Sequence, residues 1–139
     1  MNINKIRKLK GFMPDHEGDA LMKWSEKFSK LGPVMEIGTY CGKSTMYLSK
    51  GAYINNQNVF TIDHHLGSEE HQINEEYFDK EIYDYTKKRV NTLPLLIKNI
   101  NDSLQMICGS FPHIEKDLFV FFFLLQSRLQ IGQASPHSC

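Results

Sequence analysis

The chain has 139 residues, which is enough for one domain with a buried core. Its formal net charge is zero and 41% of its residues are hydrophobic, so bulk attraction to nucleic acid or to an anionic membrane is not expected. A basic cluster near the amino end is too short to alter this balance; it consists of Lys5, Arg7, Lys8 and Lys10. From composition and charge we expect neither a nucleic-acid partner nor a membrane partner.

Neither a disulfide framework nor a zinc knuckle is expected from the cysteines, which are odd in number and lack C-x-x-C spacing: Cys41, Cys108 and Cys139. The amino end has no apolar segment of the kind found in signal peptides. The longest apolar run, Leu118 to Leu125, has eight residues, far fewer than the roughly 20 that a membrane-spanning helix needs. We therefore expect a cytoplasmic protein.

The first long predicted element is a helix. Residues 1–14 are polar and basic, and we expect them to lie outside the core until Phe12 and Met13. Pro14-Asp15 is typical of a helix start and Gly32-Pro33 of a stop. Between them apolar residues recur at helical spacing, which predicts a buried face that includes two aromatic rings: Ala20, Leu21, Trp24, Phe28 and Leu31.

Two short strands come next, separated by a helix. The strands are predicted at Val34–Ile37 and Val59–Ile62, and the helix from about Ser44 to Ala52. The polar residues 55–58 form the turn into the second strand. This order of strand, helix and strand is typical of parallel pairing.

The second half of the chain is harder to interpret. A long polar stretch covers residues 64–91, and weak periodicity predicts a helix in its middle, from Tyr77 to Val90. Further elements are predicted in chain order: a helix from Thr92 to about Ile100, a third strand at Leu104–Cys108, a short helix or turn at Phe111–Lys116, and a fourth strand at Leu118–Leu125.

Strands that alternate with helices predict an α/β fold: a Rossmann-like parallel sheet with helices on both faces. The domain is expected to span residues 1–125, followed by an irregular tail at 126–139. With only about four strands, such a sheet is incomplete. We therefore also expect that its exposed edge could pair with a second copy of the chain.

The segment after the first strand carries two glycines, in the run Glu36-Ile37-Gly38-Thr39-Tyr40-Cys41-Gly42-Lys43-Ser44-Thr45. Gly38 and Gly42 let the backbone pass close to a ligand. The dinucleotide pattern G-x-G-x-x-G is absent, and a P-loop would need one more residue between the glycines. A second carboxylate, Asp63, ends the second strand, where an acid suits ribose hydroxyls.

The remaining pattern, E-x-G-x-x-x-G, resembles the first motif of class I S-adenosylmethionine-dependent methyltransferases. The run from Glu36 to Thr45 is similar to that of the catechol-O-methyltransferase-like branch. The segment from Asp63 to Gln72 (Asp-His-His-Leu-Gly-Ser-Glu-Glu-His-Gln) resembles one subgroup of small bacterial members, and the likeness covers roughly residues 31–111.

The resemblance implies S-adenosylmethionine as cofactor and methyl transfer to an oxygen of a small molecule. It places the methionine part of the cofactor against Glu36, Gly38, Thr39, Tyr40, Gly42 and Ser44. It places Asp63 on the ribose, and Gly109 and Ser110 near the adenine. His64 or His65 would be the base, since histidine titrates near neutral pH.

Three other interpretations stay open. A metal site could use His64, His65 and His71, but these residues lack regular ligand spacing and we expect no metal. A nucleotide-binding module would use Lys43 and Ser44 on phosphates. A non-catalytic remnant or partner-binding domain is the third, because the fourth predicted strand runs into Gln126 where relatives have an aspartate, and the usual seven strands are not completed.

Overall fold

A computed structural model of the protein describes residues 2–108 and 120–124. Its elements follow in chain order: α1 (Ile3–Arg7), α2 (Asp15–Phe28), a 3₁₀ turn (Ser29–Leu31), β1 (Val34–Ile37), α3 (Lys43–Tyr53), β2 (Val59–Asp63), a 3₁₀ turn (Glu69–His71), β3 (Tyr83–Asp84), β4 (Arg89–Val90), α4 (Leu93–Cys108) and β5 (Val120–Leu124). The predictions for α2, β1, α3 and β2 are confirmed to within one or two residues. The predicted fourth strand is confirmed at 120–124.

The main sheet is parallel and has the strand order β1-β2-β5. Val34 of β1 pairs with Val59 of β2, and Val59 pairs in turn with Val120 of β5. A parallel pair needs a crossover connection, and α3 provides it between β1 and β2. The short strands β3 and β4 form a separate antiparallel pair. The fold is therefore mixed α/β with a small parallel sheet.

The two faces of β1 differ in their surroundings. Val34 and Glu36 face α3, where Leu48 and Ala52 cover the sheet. Met35 and Ile37 alternate with them and remain 61% and 83% exposed. The expectation of helices on both faces is thus not met at β1 in the part of the chain that the structure describes.

Helices α2 and α3 pack closely through small residues. Gly18 lies against the ring of Tyr47, and Gly51 lies against the backbone of α2 at Met22. The hydroxyl of Ser25 donates to the Leu48 carbonyl at 2.7 Å. Because small residues fill this contact, they and not the aromatic residues form the buried face of α2.

Three predictions about the core are wrong, and the α2–α3 contact explains the first of them. Trp24 and Phe28 are 55% and 49% exposed, and their rings stack on each other with centroids 5.3 Å apart. The amino-terminal residues do enter the core, since Ile6 of α1 is only 1% exposed. It packs with residues of α3 and α4, namely Met46, Tyr47, Leu96 and Ile100. Phe12, which we expected to be buried, is 60% exposed.

Two predicted elements are also wrong. Residues 77–90 form turns and the β3–β4 pair, not a helix, because Asp79 and Asp84 accept hydrogen bonds from backbone N–H groups two or three residues further on. Leu104–Cys108 continues α4 and is not a strand. The apolar positions from Leu93 onward keep a helical spacing through this segment. Residues 111–116 lie outside the described residues.

Within the described residues, no helix combines the length and the apolar character needed to cross a bilayer.

We predict that Gly51→Ala destabilises the protein although alanine favours helix formation. The new methyl group would overlap the Met22 carbonyl and the side chain of Ser25, so α2 and α3 must separate. Overpacking of this kind costs about 1–3 kcal/mol of unfolding free energy, which urea denaturation followed by circular dichroism would measure. The exposed control His16→Ala should change stability by less than about 0.5 kcal/mol. Equal stability of Gly51→Ala and the parent would contradict the packing described.

Candidate functional site

The glycine loop, residues 38–42, joins β1 to α3 at the carboxyl ends of the parallel strands, where α/β proteins bind their ligands. Gly38 and Gly42 have φ angles of +88° and +89°, which favour glycine. Tyr40 between them also has a positive φ, +50°. The Gly38 N–H donates to the Ile62 carbonyl at 2.9 Å, which ties the start of the loop to β2.

Glu36 lies beneath the loop and is only 8% exposed. Its carboxylate accepts hydrogen bonds from the hydroxyls of Ser44, Thr45 and Thr61, the last two at 2.6 and 2.9 Å. Ser44 and Thr45 belong to the first turn of α3, where a negative charge is favourable. Glu36 therefore fixes the start of α3 against both strands.

Asp63 fastens the loop from the other side. One carboxylate oxygen accepts the backbone N–H groups of Thr39 and Tyr40, both at 2.7 Å, and the other accepts that of His65 at 2.7 Å. Burial alone would raise the pKa of this carboxyl, but the three backbone hydrogen bonds outweigh burial and lower the pKa. Asp63 is thus a charged anchor of the loop.

One side of the loop is closed and the other is open. A side chain at Gly42 would overlap Leu96 of α4, and Asn99 of α4 donates to the Cys41 carbonyl at 2.8 Å. Around Gly38, in contrast, an added Cβ would meet no atom within 4 Å. The open side of the loop is therefore a cradle in which a ligand can approach the backbone.

Cys41 packs inside the closed side of the loop. Its side chain is fully buried, and burial raises the pKa of the thiol to about 12. A thiol with such a pKa is not ionised at neutral pH, so it is not a nucleophile there. Cys41 acts as a small apolar residue, as its position between the glycines indicates.

The two candidate bases have different environments. His65 is 4% exposed; its Nδ1 lies 2.8 Å from the Thr92 hydroxyl, and burial lowers its pKa. His64 is exposed, and its Nδ1 accepts the Leu66 N–H at 3.0 Å. When neutral, His64 therefore carries its proton on Nε2. His65 joins the segment after β2 to Thr92, just before α4, and of the two histidines only His64 is exposed.

An aromatic cluster beside the loop was missed by the sequence analysis. Tyr40 contacts Phe12 and His71, with ring centroids 5.3 and 5.5 Å away, and Phe12 also contacts Tyr77. Lys10 fastens the Phe12 segment by ion pairs with Asp79 and Glu81. The rings come from three separate segments, and no spacing pattern in the sequence connects them.

The Lys43 side chain is buried and directed toward the amino-terminal segment. Its stem packs against Gly11, and its ammonium lies 3.9 Å from a carboxylate oxygen of Asp15. A P-loop lysine must instead reach the phosphates above the loop. The placement of Lys43, together with the two acids around the loop, therefore does not fit a nucleoside triphosphate site.

The structure thus brings together seven of the predicted site residues around one loop: Glu36, Gly38, Thr39, Tyr40, Gly42, Ser44 and Asp63. Gly109 and Ser110 lie outside the described residues. Among the residues that are described, His, Cys, Asp and Glu form no group of three or more that could hold a metal ion. No protein-family model matches the chain.

We predict that Asp63→Asn destabilises the protein by about 2 kcal/mol at pH 7, the scale of hydrogen bonds to a charged group. The unfolded carboxyl titrates near pH 3.9, and the folded pKa is lower. The stabilisation is therefore present above about pH 4. It is lost as the pH falls through the lower, folded pKa, so urea denaturation at several pH values should show parent and variant converging there.

The matched control is Asp84→Asn, because Asp84 also accepts two backbone N–H groups, but in an exposed turn. It should cost no more than about 1 kcal/mol. A difference between parent and Asp63→Asn that is unchanged down to pH 3 would contradict the anchor role.

Proposed function

We propose that the protein is an S-adenosylmethionine-dependent methyltransferase of Rossmann-like fold, which transfers a methyl group to an oxygen of a small molecule. The observation that carries the proposal is the open cradle at Gly38, held at the carboxyl ends of β1 and β2 by the buried carboxylate of Glu36 and the partly buried one of Asp63. The sequence resemblance between residues 31 and 111 supports the same assignment.

The charges around the loop favour this cofactor over a phosphate ligand. Glu36 and Asp63 are both negative and border the loop, and Lys43 is directed away from it. Negative groups repel phosphates, whereas they attract the positive sulfonium and amino groups of S-adenosylmethionine. The cofactor supplies the reactive methyl group; the loop binds and orients it.

Asp63 has room for one more hydrogen bond. A carboxylate offers about four acceptor positions, and three backbone N–H groups use three of them. We infer that Asp63 receives one ribose hydroxyl while it continues to hold the loop. Replacement of Asp63 should therefore weaken cofactor binding for two reasons. The hydrogen bond to the ribose is lost, and the glycine loop is no longer held in place.

Orientation of the acceptor can supply much of the rate, because methyl transfer is a direct displacement at the sulfonium carbon. A base is needed only where the acceptor must lose a proton. His64 is the accessible histidine, but its Nδ1 lone pair already accepts the Leu66 N–H. A role for His64 as base therefore requires that this hydrogen bond break, and its use stays a prediction.

We predict that isothermal titration calorimetry detects binding of S-adenosylmethionine or its demethylated product to the parent chain. Gly38→Ala should weaken binding at least about tenfold, because the methyl group enters the cradle and the positive φ strains alanine. The matched control is Gly32→Ala, since Gly32 also has a positive φ and open space around it, but lies before β1. Absence of heat at millimolar ligand would overturn the proposal.

We also predict that the two histidines differ in their effect on the cofactor. His64→Gln should leave the dissociation constant of the cofactor unchanged within about twofold. His64 is exposed, and its Nδ1 accepts the Leu66 N–H, which lies outside the glycine loop. His65→Gln should weaken binding and lower stability, because it disturbs a buried contact with Thr92 next to Asp63, the acid that anchors the glycine loop. The same titrations, combined with thermal denaturation, test this. Equal effects of the two substitutions would contradict it.

A second candidate, a non-catalytic domain that pairs with another chain, is favoured by one observation. Met35 and Ile37 are exposed on the uncovered face of β1, which lies at the edge of the described sheet. Light scattering distinguishes the candidates. A monomer that binds the cofactor supports the enzyme, whereas a stable dimer without cofactor affinity supports the pairing domain.

A further inference from the structure

The outer face of α2 carries large apolar side chains that contact solvent. Trp24 and Phe28 are 55% and 49% exposed, and Leu31 in the following 3₁₀ turn is 87% exposed. Their spacing of four and three residues places them on one side of the helix. The opposite side of α2 is already packed on α3 through Gly18 and Ser25. The packing of α2 against α3 therefore leaves these three side chains uncovered.

Lysines border this apolar strip. Lys23, Lys27 and Lys30 are all exposed. The Lys27 ammonium lies 5.2 Å from the Trp24 ring centroid and 5.4 Å from that of Phe28, within cation–π range. We name the six residues the α2 patch: Lys23, Trp24, Lys27, Phe28, Lys30 and Leu31.

Few acids oppose these lysines. Asp15 and Asp19 pair with Arg7 nearer the start of α2. Glu26 is half-buried, and its backbone carbonyl accepts a hydrogen bond from Asn55, on the side that faces the end of α3. The carboxyl-terminal half of α2 is therefore locally positive, although the whole chain has no net charge.

We propose that the α2 patch docks the protein on the surface of an anionic phospholipid membrane. Exposed tryptophan and leucine bordered by lysines are the features of helices that lie in the membrane interface. The lysines attract acidic headgroups, and the aromatic rings enter the boundary of the acyl chains. This local, peripheral contact differs from the bulk attraction that the neutral charge excludes.

The shape of the patch favours lipid over an acidic peptide. The apolar side chains stand out from a helix, with Leu31 almost wholly in solvent. An open cavity lies beside Trp24, but Phe28 and Leu31 are not part of its lining. Their protruding side chains suit a bilayer surface better than a peptide bound in that cavity. Binding of an acidic peptide is therefore an outcome that the experiment must separate from lipid binding.

The chain offers a direct probe, because Trp24 is its single tryptophan. The full chain is mixed with vesicles of phosphatidylcholine alone, or of phosphatidylcholine with phosphatidylglycerol. We expect a blue shift of Trp24 fluorescence and co-sedimentation with the anionic vesicles only. Both should weaken as salt is added, because the lysine contribution is screened.

Charge variants test the patch itself. The triple variant Lys23→Gln, Lys27→Gln and Lys30→Gln should lower partitioning onto anionic vesicles by at least about tenfold, since each lysine near a charged surface contributes several-fold. The matched control changes three exposed lysines elsewhere: Lys80→Gln, Lys88→Gln and Lys98→Gln. It removes the same charge and should bind as the parent does. Circular dichroism establishes that both variants are folded.

Several outcomes would overturn the proposal. These are no binding to anionic vesicles, equal binding to neutral vesicles, or equal loss in the two triple variants. A blue shift that depends on protein concentration without lipid would assign the patch to contact between copies of the chain. A blue shift with polyglutamate and none with vesicles would assign it to an acidic protein partner.

Discussion

The anchoring of the glycine loop by Asp63 is the interaction on which the site depends. A loop with three consecutive non-glycine residues between Gly38 and Gly42, one of them with positive φ, is not a low-energy structure by itself. A single carboxylate from the neighbouring strand accepts two of its N–H groups and that of His65. This acid connects β1, β2 and the start of the polar segment after β2. The sheet and the loop are therefore one mechanical unit.

Glu36 performs the complementary task below the loop. Its carboxylate accepts hydrogen bonds from hydroxyl groups of β2 and of the first turn of α3. These bonds fix the position at which the crossover helix α3 starts. From its start, α3 runs back along the sheet, and α2 packs against it where Gly18 of α2 and Gly51 of α3 allow close approach. The small residues in this second contact decide which side of α2 faces solvent. The exposure of Trp24 is thus a consequence of how α2 and α3 meet.

Much of the first half could be predicted because its signals are local. β-branched runs define β1 and β2, and the glycines define the loop between β1 and α3. The exposure of Trp24 could not be predicted. Helical spacing shows that α2 has an apolar face, but it does not show whether that face packs against another element. The error at Leu104–Cys108 arose because a short apolar run fits a strand or a helix equally well. The turns at Asp79 and Asp84 depend on hydrogen bonds from backbone N–H groups to these carboxylates. The spacing of apolar residues gives no information about such bonds.

For the candidate site, the sequence placed the two acids correctly at the strand ends but could not show what they bind. Glu36 and Asp63 were expected to face a ligand, and the structure shows most of their acceptor positions used by the protein. The open surface beside these acids is formed by the backbone at Gly38 and by the aromatic cluster at Tyr40. Sequence patterns reveal such acids because the residue type itself indicates the chemistry. An exposed stretch of backbone is not marked by any one residue type, so the sequence does not reveal it.

The two proposed surfaces are compatible because they lie toward different ends of the strands. Gly18 lies against Tyr47, and Asn55 donates to the Glu26 carbonyl, so α2 and α3 run in the same direction. Helix α3 starts at the glycine loop, at the carboxyl ends of β1 and β2. The end of α2 is therefore near the opposite edge of the sheet, where Leu31 precedes β1. A protein held on a membrane by the α2 patch would keep its glycine loop directed away from the lipid and open to ligands from solution.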